Sequence, residues 1–194
     1  MKIRIYHILK NTKTEGPGTR YCIWFQGCMR HCKGCWAVET WDLKGGKEYN
    51  VIDILNDIFS TPDIEGVTFL GGEPFEQPEA LMFLARNIKQ KGLSIVCFTG
   101  YKIEYLKKKY KNILSEIDLL IDGEFIEEEK DFSRPWVGSK NQKYYFLTDR
   151  YNESILTKYK NKIEINIQKN GKIFINGIGD FDKLEKNLKM YTKH

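Results

Sequence analysis

The sequence has no run of eighteen or more apolar residues, so we expect none of it to span a membrane. Its first residues, MKIRIYHILK, lack the apolar core and the small-residue cleavage site of a signal peptide. They alternate polar and apolar side chains instead, which predicts a first strand. From these two absences we expect a cytoplasmic protein.

The sequence also lacks a compact basic patch with interleaved aromatic residues, the pattern of a nucleic-acid-binding surface. The net charge is +5, from 31 Lys and Arg residues against 26 Asp and Glu residues. Much of the excess lies in Lys107, Lys108 and Lys109 and in the residues after Lys158. We interpret these lysines as a solvated surface and expect no nucleic-acid partner.

With 194 residues, 41% of them hydrophobic, the chain is long enough for one sizeable domain and short for two. Apolar runs alternate with segments of helical spacing, which predicts parallel βαβ units. A closed eight-fold barrel needs about 250 residues, so the predicted fold class is α/β with a partial, open βα barrel. We predict strands at 2–8, 20–26, 66–70, 94–98 and 117–121, and helices at 51–59, 78–90 and 103–110.

The last quarter of the chain has a different character. Residues 162–168 and 172–176 alternate polar and apolar side chains around Asn170-Gly171, which predicts a β-hairpin. An amphipathic helix is predicted from Phe181 onward, and we expect hairpin and helix to pack on the same domain as the rest. The predicted organisation is a core at 1–147 and a C-terminal extension at 148–194.

The five cysteines are an odd number, and three of them fall within eight residues, which does not fit a secreted disulfide framework. Cys28, Cys32 and Cys35 have the spacing C-x3-C-x2-C. Thiolates suit iron–sulfur clusters and zinc, but both kinds of closed site use four protein ligands. Three thiolates on a four-iron cluster leave one iron free to bind a small molecule. The alternatives are a zinc site that recruits His31 or a distant residue, and cysteines buried by chance.

Further motifs follow predicted strands. Gly71-Gly72-Glu73-Pro74 comes directly after one of them, where two glycines let the backbone approach a ligand closely. This tetrapeptide is also compatible with an ordinary turn. Asp122 ends a later strand, where it is a candidate for binding a small cation or the partner, or for capping a turn.

The three-cysteine pattern, with Trp36 directly after the last cysteine, resembles the signature of the radical S-adenosylmethionine (SAM) superfamily. The resemblance implies that the three cysteines hold a [4Fe-4S] cluster whose open iron binds SAM. Electron transfer from the reduced cluster would then cleave SAM and release a 5′-deoxyadenosyl radical that abstracts hydrogen. The residues expected to bind the cofactors are Cys28, Cys32 and Cys35 for the cluster, and Trp36, Gly71, Gly72, Glu73, Thr99 and Asp122 for SAM.

The order GPGTR, WFQGCMRHCKGCW, GGEP, FTGYK, LLIDGEF and WVGSKNQ resembles one family within that superfamily. It is similar to the activating component of anaerobic (class III) ribonucleoside-triphosphate reductase, over roughly residues 1–147. The resemblance implies that a hydrogen is taken from a glycine of a partner glycyl radical enzyme. It also implies an electron donor such as flavodoxin or ferredoxin.

Three features depart from that family pattern. Glu124 stands where the family has Lys, Ala37 stands where it often has Asn, and about 45 residues follow the matched region. An alternative is therefore a radical SAM enzyme that modifies a peptide or a small molecule. A second alternative is a zinc-binding interaction module that uses the cysteines structurally.

Overall fold

The structure is a computed structural model that describes residues 1–167, 169–181, 183, 184 and 186. One seven-stranded sheet with helices packed against it forms the body, and a two-stranded sheet follows. The strands are β1 (Lys2–Thr12), β2 (Arg20–Phe25), β3 (Lys47–Asn50), β4 (Gly66–Gly71), β5 (Ser94–Thr99), β6 (Leu119–Asp122), β7 (Lys143–Phe146), β8 (Ile163–Ile167) and β9 (Ile173–Gly177). The helices are α1 (Val51–Ser60), α2 (Pro78–Gln90), α3 (Ile103–Lys109), α4 (Lys111–Leu114) and α5 (Ile155–Lys158).

The strand order in the large sheet is β3-β1-β2-β4-β5-β6-β7. Strands β2, β4, β5 and β6 are parallel to one another, which confirms the predicted βαβ units. The outer pairs, β1 with β2, β1 with β3 and β6 with β7, are antiparallel. The protein is thus a mixed α/β fold, and its closer description as an open βα barrel stays a prediction.

The central strands are buried on both faces, one of which is covered by helices. Every residue of β2 is buried, and so are the first five of β4. Helix α1 turns Ile54 and Ile58 toward this core, and its first turn is capped by Asn50, whose side-chain oxygen accepts a hydrogen bond from the Ile52 amide at 3.1 Å. The loops at the carboxyl ends of these strands therefore start from a buried sheet.

The predicted hairpin is confirmed as β8 and β9, paired antiparallel from Ile163 opposite Gly177 to Ile167 opposite Ile173. It packs on the body of the protein, where Phe174 joins the apolar cluster of Cys22, Trp24 and Leu70. The predicted final helix begins at Phe181, and its stretch over 187–194 lies outside the described residues. No helix in the described part of the chain combines the length and apolar character needed to cross a bilayer.

A candidate cofactor site at the carboxyl ends of the central strands

The cysteine segment leaves the end of β2 and is closed at its base. The Gly27 amide donates to the Thr40 carbonyl at 2.7 Å, and the Cys28 amide donates to the Trp41 carbonyl at 3.2 Å. Next to these two contacts, the Gln26 side-chain Nε2 donates to the Asp42 carbonyl at 2.7 Å. Residues 27–41 therefore form a loop anchored on the central sheet, and we call it the cysteine loop.

All five cysteines of the chain are free, and three of them lie in the cysteine loop. Cys28 is buried, whereas Cys32 and Cys35 are half-buried. Burial raises the pKa of the Cys28 and Cys32 thiols. Among the described residues no three His, Cys, Asp or Glu side chains are grouped so as to hold one metal ion. In a four-iron cluster each cysteine binds a different iron, so its thiolates are spaced more widely than the ligands of a single ion.

Arg30 connects the cysteine loop to the segment after β6. Its guanidinium pairs with the Glu124 carboxylate, Nη2 to Oε2 at 2.8 Å, and lies 5.1 Å from the centre of the Tyr101 ring. The Arg30 Nε atom is buried without a hydrogen-bond partner in the described part of the chain. The charge that Glu124 reverses relative to the family pattern is thus balanced inside this protein by a cation of the cysteine loop.

The loop at Gly71–Glu73 is joined directly to the cysteine loop. The Gly72 amide donates to the Phe25 carbonyl and the Glu73 amide to the Gly27 carbonyl, both at 2.9 Å. A Cβ on Gly71 would lie 2.6 Å from the Trp24 Cα, and one on Gly72 would lie 2.5 Å from the Gly27 carbonyl oxygen. These glycines thus permit the close approach of neighbouring backbone. The sequence analysis had explained the same two glycines by the approach of a ligand.

The Glu73 side chain is buried and ties three chain segments together. Its carboxylate accepts hydrogen bonds from the Phe75 amide at 3.1 Å, the Thr99 hydroxyl at 2.9 Å and the Gly100 amide at 2.8 Å. Burial raises its pKa to about 7 against the opposing effect of these hydrogen bonds. The end of β4 is therefore fixed to the end of β5 by Glu73.

Asp122 serves the next segment in a similar way. Its Oδ2 atom accepts a hydrogen bond from the Ile103 amide at 2.7 Å, at the first residue of α3. Burial raises the pKa of this carboxyl. This contact with the start of α3 differs from the roles expected from the sequence, which were a turn cap and contacts with a cation or the partner.

A cavity of about 420 Å³ lies beside the cysteine loop. Trp36 and Gly71 both line it, so the structure brings these two predicted residues together. Asp122 lines a different cavity of about 290 Å³, together with Lys102 and Lys143. Gly72, Glu73 and Thr99 line neither cavity. The predicted SAM-binding residues thus divide into cavity walls and residues that fix the loops.

The sequence interpretation missed two buried charged residues near the start of β2. Glu15 lines the cavity of about 420 Å³, and Arg20 is fully buried at the first residue of β2. The sequence does contain a signal for these two residues. Glu15 and Arg20 stand on either side of the turn Gly16–Thr19, which leads into an apolar strand. His31, the candidate zinc ligand, stacks its ring on Trp41 with centroids 4.6 Å apart.

Comparisons with known proteins agree with these features. A family model described as a 4Fe-4S single cluster domain matches residues 14–145. The chain is also similar to proteins named anaerobic ribonucleoside-triphosphate reductase-activating protein. The Haemophilus influenzae protein is 36% identical over 136 residues, covering 66% of this chain and 88% of the relative. The Escherichia coli K12 protein is 32% identical over 141 residues, covering 69% and 92%. The protein of Enterobacteria phage T4 is 31% identical over 141 residues, covering 70% and 88%.

Proposed function

The chain belongs to the family of anaerobic ribonucleoside-triphosphate reductase-activating proteins, and from this premise we propose that it generates a glycyl radical on that reductase. The protein is then a radical SAM activase. The observation that carries the proposal is the cysteine loop, with three free thiols on one anchored segment that is hydrogen-bonded to the Gly71–Glu73 loop.

We propose that Cys28, Cys32 and Cys35 hold the [4Fe-4S] cluster. The donor set fits, because three soft thiolates are the ligands that such a cluster prefers and leave one iron open. A thiolate-bound cluster adds negative charge to the loop, and the unpartnered, cationic Nε–H of Arg30 suits such a group. When bound and reduced by the electron donor, the cluster would supply the electron for the cleavage of SAM, which is the source of the radical that the proposed reaction requires.

The SAM-binding proposal follows the division seen in the site. Trp36 and Gly71 would form walls of the SAM cavity, since both already line it. The Glu73 carboxylate has three donors of its own, and of the Gly71–Glu73 loop only Gly71 lines the cavity, so we assign the contact with the SAM amino group to the Gly71 backbone. Thr99 and Asp122 would act by holding Glu73 and the start of α3 in place.

The apolar side chains that line the cavity would limit the access of water to it. Trp24, Leu70 and Phe98 line one side of it, and Phe174 covers another from the C-terminal hairpin. Exclusion of water protects a carbon-centred radical from side reactions. An electron donor such as flavodoxin or ferredoxin is part of the proposal, and five free cysteines suit a reducing compartment such as the cytoplasm.

The test uses cluster-loaded protein with SAM, a reductant and the large reductase subunit encoded in the same genome, under anaerobic conditions. We expect a glycyl doublet in the electron paramagnetic resonance spectrum. SAM cleavage without any doublet on the reductase would reject this target. The Cys35→Ser variant should lose both SAM cleavage and the doublet, whereas Cys97→Ala, a buried cysteine outside the cysteine loop, should retain both.

Two alternative functions, a different radical SAM enzyme and a zinc-binding module, can be distinguished from the proposed one. A peptide- or small-molecule-modifying enzyme was suggested by Glu124 and the extension, and Glu124 no longer supports it because Arg30 balances its charge. A zinc-binding interaction module would contain zinc in place of iron and sulfide. Metal and sulfide analysis of anaerobically purified protein distinguishes the two compositions.

A further inference from the structure

The C-terminal hairpin has one polar and one apolar face, and the orientation of these faces is the reverse of the usual one. Side chains alternate between the two faces of a strand, and directly paired residues share a face. One face of this hairpin carries Glu164, Asn166, Phe174 and Asn176. The other, which we call the isoleucine face, consists of Ile163, Ile165, Ile167, Ile173 and Ile175.

The polar face is the one turned toward the body of the protein. The buried Asn176 side chain donates to the Thr14 hydroxyl at 2.6 Å and to the Glu15 carboxylate at 3.3 Å. The Thr12 hydroxyl donates to the Glu164 carboxylate at 2.7 Å. Phe174 stacks on His7 with ring centroids 3.8 Å apart. These directional contacts fix which face of the hairpin points inward.

The isoleucine face is therefore left on the outside. Ile165, Ile167 and Ile173 are 42%, 73% and 60% exposed, and the last two are cross-strand partners. Single exposed apolar residues are ordinary, but a contiguous apolar patch with a polar rim marks a surface that binds another molecule.

The segment that carries this face is rich in exposed lysines. Five exposed lysines in the same segment form a lysine rim, and the single acidic residue among them, Glu164, is turned inward to Thr12. The described part of the chain provides no ion pair for any of the five. A complementary partner would carry acidic residues around an apolar contact. The lysine rim consists of Lys158, Lys160, Lys162, Lys169 and Lys172.

The isoleucine face also adjoins the candidate cofactor site. Ile173 and Ile175 line the cavity of about 420 Å³ that Trp36 and Gly71 line. A polypeptide docked on the isoleucine face would therefore lie next to the place where hydrogen abstraction is proposed. The matching family model ends at residue 145, so this surface belongs to the part of the chain beyond it.

We propose that the isoleucine face and the lysine rim form the docking surface for the large reductase subunit, which would bind through an apolar segment flanked by acidic residues. This inference rests on the proposed function and deepens it. The buried polar face holds the hairpin, the exposed isoleucines supply the apolar contact, and the lysines steer the acidic partner toward the cavity.

The experiment compares the affinity of cluster-loaded, full-length variants for the purified large subunit of the same organism. Ile165→Thr/Ile167→Thr changes two exposed residues of β8 that do not line the cavity, and it keeps a β-branched residue at both positions, so the strand propensity is preserved. We expect its affinity for the reductase to fall at least about tenfold. SAM cleavage without the partner should stay unchanged. Ile52→Thr, a similarly exposed position on α1, is the matched control and should bind normally.

The charged rim is tested separately. Lys169→Glu/Lys172→Glu should weaken binding and reduce its dependence on salt concentration. Lys107→Glu/Lys108→Glu on α3 is the control for the same change in net charge and should retain wild-type affinity.

Unchanged reductase affinity in both hairpin variants would overturn the inference. If the isoleucine variant changes oligomeric state but not reductase affinity, the face binds a second copy. If it lowers the thermal unfolding midpoint but not reductase affinity, the chain's own residues cover the face. Either result also overturns the inference. Failure of the proposed function is distinguishable, because the wild-type protein itself would then leave the reductase without a glycyl radical.

Discussion

Arg30 and Glu124 determine how the cysteine loop meets the rest of the site. Their ion pair joins the residues between two of the proposed cluster ligands to the segment after β6. Gly100 leaves room for the Arg30 side chain, since a Cβ at this position would lie 3.1 Å from the Arg30 Cγ. Although both partners are partly exposed and such pairs contribute little alone, this one lies where loop geometry sets the spacing of thiolates.

Replacing Glu124 by Lys should place two cations side by side and push Arg30 out of the contact. We expect Glu124→Lys to lower iron incorporation and the thermal unfolding midpoint of the cluster-loaded protein, and Glu124→Gln to remain close to wild type. The exchanged pair Arg30→Glu/Glu124→Arg should recover much of the loss. Iron and sulfide analysis with thermal unfolding gives both readouts.

Glu128→Lys is the matched control for that experiment. Glu128 pairs with Lys33 at 2.7 Å in the same acidic segment, but both side chains are largely exposed. Reversal of an exposed pair should change the unfolding free energy by less than about 1 kcal/mol. Equal losses in Glu124→Lys and Glu128→Lys would show that the charge of the segment matters and the Arg30 contact does not.

At the scale of strands, Arg20 joins three of them from inside the sheet. Its guanidinium donates to the Thr68 hydroxyl at 3.1 Å, to the Ser94 hydroxyl at 2.6 Å and to the Val67 carbonyl at 2.5 Å. It is fully buried at the first residue of β2, and the acceptors belong to β4 and β5. A buried cation is tolerated here because every N–H group of the fork finds an oxygen.

Arg20→Met should leave those acceptors without donors while keeping much of the side-chain volume. We expect the free energy of unfolding to fall by about 2–4 kcal/mol. Arg86→Met, which removes an exposed arginine on α2, should cost less than about 1 kcal/mol. Urea denaturation of both variants measures the difference, and similar midpoints for the two would contradict a structural role for Arg20.

The sequence predicts the strands and helices whose residues follow a regular pattern of burial. The four parallel strands are apolar runs, and the helices between them keep one apolar face, so both were predicted to within a few residues. Strands β3 and β7, with sequences KEYN and KYYF, were not predicted. Each is paired on one side only and partly exposed, so its composition does not differ from that of a loop.

Some features of the candidate site could likewise be predicted from the sequence, and others could not. The cysteine spacing and the GGEP tetrapeptide are local in sequence and were recognised. The contacts of Glu73 with Thr99 and of Arg30 with Glu124 join residues 26 and 94 positions apart. No local pattern encodes such contacts, because they depend on which strand ends lie side by side. Whether an acidic side chain faces a ligand or fixes a loop is therefore visible only in the fold.

At the scale of the whole molecule, the extension is held on the body by buried polar groups. The Glu15 carboxylate accepts hydrogen bonds from the Gly177 amide at 2.6 Å and from the Asn176 side chain. Burial raises its pKa from 4.5 to about 7, and the nearby Glu164 acts in the same direction. The attachment of the hairpin thus includes a carboxyl that binds its proton more tightly than a free glutamic acid does.

The pH dependence of stability follows from the sign of that shift. The folded protein binds the Glu15 proton more tightly than the unfolded chain, so its stabilising effect is fully present below about pH 4.5. It is lost as the pH rises through about 7. Glu73 has the same sign and the same range. Between pH 5.5 and 8 we expect the unfolding free energy to fall by about 2 kcal/mol for each carboxyl.

Glu15→Gln removes one of these two titrations and keeps an oxygen that accepts the hydrogen bond of Gly177. We expect about half of the pH-dependent loss to disappear, and the variant to be more stable than wild type at pH 8. Glu79→Gln, an exposed carboxyl on α2, should leave the wild-type dependence intact. Urea denaturation at pH 5.5 and 8 measures both. If the unfolding free energy of Glu15→Gln fell with pH as steeply as that of the wild type, Glu15 would have to be ionised within the fold. Only a carboxyl that is protonated in the fold makes the protein less stable as the pH rises.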